Sequence, residues 1–204
     1  MGGNLDRAPH HQRLDRGRRT RSVAVRVAVL IVAALAAPAP ARPDPGDLTA
    51  LVDAAAERLH TAEAVAAFKW TAGRAVEDSV RVNQELATLA ADAADADLDA
   101  GYVRRVFADQ INATEAVEYT RFGQWKLDPA AAPGTAPDLA ASRSAIDAVN
   151  QVMVAEIGRQ WDLLHSAGCT SQLDAALGAV SSARGLDALY RQALSFATRS
   201  YCRP

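Results

Sequence analysis

Residues 103–127 read VRRVFADQINATEAVEYTRFGQWKL, a stretch with no proline and with Gly123 as its one glycine. At 100° per residue, Phe107, Ile111, Thr114, Glu118, Phe122 and Trp125 fall within an arc of about 80°, the core-facing stripe of a long helix. Two of these positions, Thr114 and Glu118, are polar and stand one turn apart, roughly 6 Å along the axis. A carboxyl on such a stripe costs free energy unless it is hydrogen-bonded, paired or protonated. The stretch therefore predicts a helical core with a polar site set into it.

Outward from this segment the chain stays helical. Leu48, Leu51, Val52, Ala55 and Leu59 form a stripe that predicts a helix over 48–60, capped by Asp47. Further helices are expected over 63–73, 78–94, 99–125, 138–166, 170–183 and 186–202. Residues 128–137, with Pro129, Pro133, Gly134 and Pro137, read as a breaker loop, and Gly185 separates the last two helices. Half of the 204 residues are apolar while only 5% are aromatic, and alanine dominates; this favours helices over sheets. No strand signal of comparable strength, glycine-rich phosphate loop or HExxH motif stands out. The fold class expected is all-α, a single-domain bundle of about six to seven helices.

The first forty residues read as a separate object. Arg7, Arg13, Arg16, Arg18, Arg19 and Arg21 precede an apolar run, Val23–Ala37, broken only by Arg26, and Ala-Pro-Ala-Pro-Ala follows at 37–41. A basic leader, a short apolar run and small residues at a cleavage point are the parts of an export signal. The run falls short of the ~20 apolar residues of a membrane span. Residues 1–41 are thus expected to be removed, with 42–204 as the helical domain, and membrane contact only through the signal.

Export changes the charge balance. The full chain has 22 Lys+Arg and 24 Asp+Glu; losing seven Arg and two Asp leaves 15 against 22, a net charge of −7. An acidic exported domain argues against a nucleic-acid partner. Cys169 and Cys202, the two cysteines, have no CxxC or metal-ligand spacing. In an oxidising compartment a structural bridge is the first reading, contributing roughly 3–4 kcal/mol, with free thiols or an intermolecular bond as the others.

Charged residues recur where helical periodicity asks for apolar ones. Arg143 lies in line with Leu139, Ile146, Asn150, Ile157, Trp161 and Leu164. Asp78, Arg81 and Glu85 group beside the Val82–Leu89 edge, Lys69 follows Phe68, and Arg58 flanks the first stripe. Periodicity leaves two readings open. One is a set of ion pairs, such as Asp78–Arg81, on half-solvated faces. The other is a pocket within the bundle for a small dianion, gripped by planar Arg forks.

Lys69 lies eleven residues after Arg58, Asp78 nine after Lys69, and Arg81 three after that, with the Thr114/Glu118 pair on the next long helix. This pattern resembles the all-helical chorismate mutases, in particular their secreted bacterial subclass. The stretches LVDAAAERLHTAEAVAAFKW (51–70), VRRVFADQINATEAVEYTRFGQWKL (103–127) and DLAASRSAI (138–146), and the Cys169/Cys202 pair, are similar to that subclass. The resemblance implies rearrangement of chorismate to prephenate, a Claisen-type intramolecular step of phenylalanine and tyrosine biosynthesis. It implies no cofactor, no metal and no covalent intermediate.

The resemblance also implies residue roles. Arg58, Arg81 and Arg143 would hold the two carboxylates of the substrate, with Arg81 counted among the catalytic groups. Lys69 and a protonated Glu118 would donate to the ether oxygen, Asp78 would bind the ring hydroxyl, and Thr114 and Glu115 would line the site. Glu85 is counted in the substrate-binding set, although the family carries a neutral Gln there. A homodimer with each site inside one chain is the implied assembly, and a secreted or periplasmic location follows from the signal. The alternative is an exported helical protein that keeps the fold for interaction, or that binds a small dicarboxylate without turnover.

Overall fold

The computed structural model describes residues 47–135 and 137–203; the expected signal, 1–41, lies outside them. Among the described residues there are seven α-helices and no strand. These are α1 (Thr49–Thr71), α2 (Ser79–Asp95), α3 (Ala100–Leu127), α4 (Leu139–Arg159), α5 (Trp161–Leu164), α6 (Cys169–Ala183) and α7 (Ala188–Ala197). No described helix is long and apolar enough to cross a membrane.

The first helix corrects the sequence reading. Helices expected over 48–60 and 63–73 are one rod, because neither proline nor glycine interrupts 49–71. The Thr61 hydroxyl, the polar feature near the expected break, donates to the Arg58 carbonyl (2.7 Å) within the helix. Asp47 does act at the start, accepting from the Thr49 amide at 2.7 Å. In the other direction, the helix expected over 138–166 ends at Arg159, and α5 follows after Gln160. The last helix is shorter than expected, capped by Asp187 through the Tyr190 amide and ending at Ala197. The 128–137 breaker loop contains a short 3₁₀ turn, Pro129–Ala131.

Helix α1 is the axis of the bundle and packs against α3, α4, α6 and α7. Its small residues Ala54, Ala55, Ala56, Ala62 and Ala66 are buried on several faces, which lets neighbouring rods approach it from more than one side. Leu51, Val52 and Leu59 meet Val103, Val106 and Phe107 of α3, Met153 and Ile157 of α4, and Leu194 of α7 in one core. A smaller cluster of Ala66, Ala67 and Trp125, with Trp70 and Phe122 packed on it, closes the far end of α1 and α3. The Cys169–Cys202 disulfide, Cα atoms 5.6 Å apart, ties the start of α6 to the segment after α7. Beside it the Tyr102 hydroxyl donates to the Tyr201 carbonyl at 2.7 Å.

Candidate active site

A cavity of about 450 Å³ opens where α1, α2, α3 and α4 converge, within the size range of a small-molecule site. All nine residues singled out from the sequence line it: Arg58, Lys69, Asp78, Arg81, Glu85, Thr114, Glu115, Glu118 and Arg143. Helical geometry accounts for the convergence. Eleven residues are about three turns, so Arg58 and Lys69 leave α1 on one side; Thr114 and Glu118 do the same from α3, one turn apart. Val65, Phe68, Val82, Ile111, Leu139 and Ile146 supply the apolar wall between the charges.

Arg58 is the buried anchor, 3% exposed. Its Nε donates to Asn150 Oδ1 (2.7 Å), Nη1 to Thr114 Oγ1 (3.3 Å) and Nη2 to Glu85 Oε1 (2.6 Å). Asn150 Nδ2 donates to the same Glu85 oxygen at 3.1 Å. Burial draws the Arg58 pKa down and the Glu85 carboxylate opposes it, yet a guanidinium stays charged near neutrality. Three side chains from three other helices thus hold this planar cation in one orientation.

Lys69 and Glu118 form the second polar centre. Lys69 Nζ donates to Glu118 Oε2 at 2.7 Å and to the Val76 carbonyl. Glu118 is 2% exposed, and burial pushes its carboxyl above the usual range even though Lys69 pulls the other way. Burial likewise raises Glu115, with Lys69 opposing and Glu77 reinforcing the rise. A dry acid beside a cation is a group that can hold a proton where a solvated carboxylate would lose it.

Arg81, Asp78 and Arg143 sit nearer solvent. The pair Asp78–Arg81, read from the sequence as a possible salt bridge, is a helix cap instead: Asp78 Oδ1 accepts the Arg81 amide at 3.1 Å. The Arg81 guanidinium points elsewhere, to Glu85 at 3.9 Å and Asp147 at 3.6 Å. Arg143 is exposed, and among the described residues no carboxylate lies within 4 Å of it.

The sequence reading missed Arg74, Glu77 and Ser79, which also line the cavity, and the part played by Asn150. The first two belong to the connection between α1 and α2, where no periodicity assigns a direction to a side chain. Asn150 was visible as a polar residue on the α4 stripe, and its burial without a charge was the available signal.

A family model described as chorismate mutase type II matches residues 49–119, the span from α1 to most of α3. The chain is 56% identical over 160 residues to a secreted chorismate mutase of Mycolicibacterium smegmatis, covering 78% of this chain and 88% of that one. It is 54% identical over 164 residues to a secreted chorismate mutase of Mycobacterium tuberculosis, covering 80% and 82%. The chain belongs to the chorismate mutase type II family. Among solved structures, a chorismate mutase of Burkholderia phymatum superposes with a TM-score of 0.74 at 29% identity, over 78% of this chain and 98% of that one. One from Burkholderia thailandensis gives 0.72 at 30% identity, over 76% and 98%. The type II match includes every cavity residue expected from the sequence except Arg143, which α4 contributes from outside it.

Proposed function

We propose that this chain rearranges chorismate to prephenate, and that the cavity between α1, α2, α3 and α4 is where it does so. In that reaction a carbon–carbon bond forms while an ether carbon–oxygen bond breaks within one molecule. The protein's task is to compress a flexible diacid into the reactive shape and to stabilise charge on the departing oxygen. The observation that carries the proposal is the buried Glu118 paired with Lys69, set beside the locked guanidinium of Arg58 in a cavity with apolar walls.

In this reading Arg58, Arg81 and Arg143 hold the two carboxylates, and Lys69 and Glu118 donate to the ether oxygen. Glu118 must then carry a proton. Its raised pKa supports that role, and two further negative charges entering the cavity raise it again. Asp78 keeps one carboxylate oxygen for the α2 cap and offers the other to the ring hydroxyl. Thr114 is held toward Arg58, and Glu115 stands at the edge of the same wall. Glu85 orients Arg58, while its own charge opposes the incoming carboxylates.

The proposal extends to the cell. Residues 1–41 act as an export signal, 42–204 form the secreted or periplasmic enzyme, and the membrane is met only through that signal. The names of the mycobacterial relatives support this location. A homodimer with complete sites in each chain is supported by a cavity lined from one chain and by exposed apolar residues such as Leu127 and Val152.

The test is direct. Purified 42–204 is incubated with chorismate and loss of the diene absorbance is followed, with prephenate identified in the product. Binding of chorismate without turnover returns the dicarboxylate-binder reading; no binding at all sinks both. Sequencing the amino terminus of protein recovered from the culture medium checks the cleavage after Ala41, and light scattering checks the dimer.

A further inference from the structure

The cavity has an unusual charge balance for a dianion site. Five cations line it, Arg58, Lys69, Arg74, Arg81 and Arg143, and so do five acids, Glu77, Asp78, Glu85, Glu115 and Glu118, the last protonated in the reading above. Three of the cations are already engaged: Arg58 by Glu85, Lys69 by Glu118, and Arg81 by Glu85 and Asp147. Arg74 is different. It follows Gly73, whose φ of 62° turns the chain out of α1, and its amide donates to the Lys69 carbonyl at 2.8 Å. The turn is therefore fixed onto the same end of α1 that carries Lys69. The Arg74 guanidinium is exposed at the cavity, and among the described residues no carboxylate lies within 4 Å of it.

We propose that Arg74 is a further substrate-binding residue, an uncommitted cation at the mouth that offsets the resident carboxylate of Glu85 and draws a substrate carboxylate in. The inference rests on the mutase reading above. With Glu118 protonated, removing Arg74 leaves the remaining cations of the lining only matched by its ionised carboxylates, so a dianion loses the net attraction that draws it toward the engaged groups within. Its contribution is charge acting across solvent, and so it falls on binding rather than on the bond-breaking step.

The test measures kcat and KM for chorismate at low and high salt in the wild type and four variants. Arg74→Ala raises KM on the order of tenfold at low salt with kcat within about twofold, the scale of one charge acting on a dianion at moderate distance. Arg74→Lys keeps KM within about threefold of wild type, since a point charge suffices for this role. High salt shrinks the Arg74→Ala effect. Glu85→Gln lowers KM, and Arg74→Ala/Glu85→Gln returns it to within about threefold of wild type if the two charges offset each other.

An unchanged KM in Arg74→Ala overturns the inference, as does an Arg74→Lys variant no better than the alanine. A double variant no better than Arg74→Ala alone overturns the offset by Glu85. Circular dichroism confirms that all four variants fold, including those at Glu85 on α2. A wild type that does not turn over chorismate sinks the mutase reading and this inference together; an active wild type whose KM ignores residue 74 sinks this inference alone.

Discussion

Lys69 Nζ and Glu118 Oε2 stand 2.7 Å apart across the α1–α3 interface, though 49 positions separate them along the chain. The contact joins a cation on the last turns of α1 to an acid in the middle of α3, in a place where Glu118 has almost no access to water. Both groups are thereby aimed at one small volume, where burial holds the acid's pKa above the usual carboxylate range against the pull of Lys69.

Because burial raises the Glu118 pKa, the donor form is the one present at low pH, and it is lost as pH rises through the folded value. The kcat/KM profile is therefore expected to fall on its alkaline side. Glu118→Gln, which cannot lose that donor, should stay active and flatten the fall. Glu118→Ala should lose about two to three orders of magnitude in kcat, the cost of removing one preorganised donor. A Gln variant that folds but is as inactive as the alanine contradicts the donor role.

Lys69 makes two contacts, to Glu118 and to the Val76 carbonyl. Lys69→Ala is expected to lower kcat by about 10²–10³. It should also raise the Glu118 pKa further, since the opposing cation is gone. Steady-state kinetics across pH check both effects, and near-normal turnover would rule out a transition-state role.

Arg58 supports the fold as well as the site. Its truncation leaves the Glu85 carboxylate, whose side chain is 13% exposed, without its nearest cation. Arg58→Ala should therefore cost about 3–5 kcal/mol of stability, as broken buried pairs do, and raise KM at the same time. Arg58→Ala/Glu85→Gln should recover much of the stability and none of the affinity. Thermal melting beside chorismate kinetics separates the two.

The Cys169–Cys202 bond closes a separation of 33 residues, and in the chain-entropy model contributes roughly 3–4 kcal/mol. Reduction, or replacement of both cysteines by serine, should lower Tm by roughly 10 °C for a domain of this size. Since neither cysteine lines the cavity, KM measured well below the melting range should be unchanged. A KM that rises in the folded, reduced protein would mean that the bond holds the site too.

Fold and site were legible in the sequence to different depths. Alanine content and helical stripes announced a bundle, yet the single rod of α1 was read as two, because a stripe that drifts around a fully packed helix mimics a break. The nine residues that line the cavity were legible because each breaks an apolar stripe or stands at a family-like spacing. Arg74 and Glu77 break no stripe; they lie in a turn, where direction is set by Gly73 and by the amide of Arg74 on the Lys69 carbonyl.

What the chain order alone determined is which side of each helix must be dry and which charges fall on that side, since 3.6 residues per turn convert spacing into direction. Tertiary structure decided how those charges pair. Asp78 caps α2 and leaves Arg81 to Glu85 and Asp147, while Glu85 shares Arg58 with Asn150 from 65 residues away. Periodicity acts within one helix, and these partners sit on different ones. Only the packing of α1 against α3 and α4, fixed by alanines small enough to admit them, sets the distances on which the pairing depends.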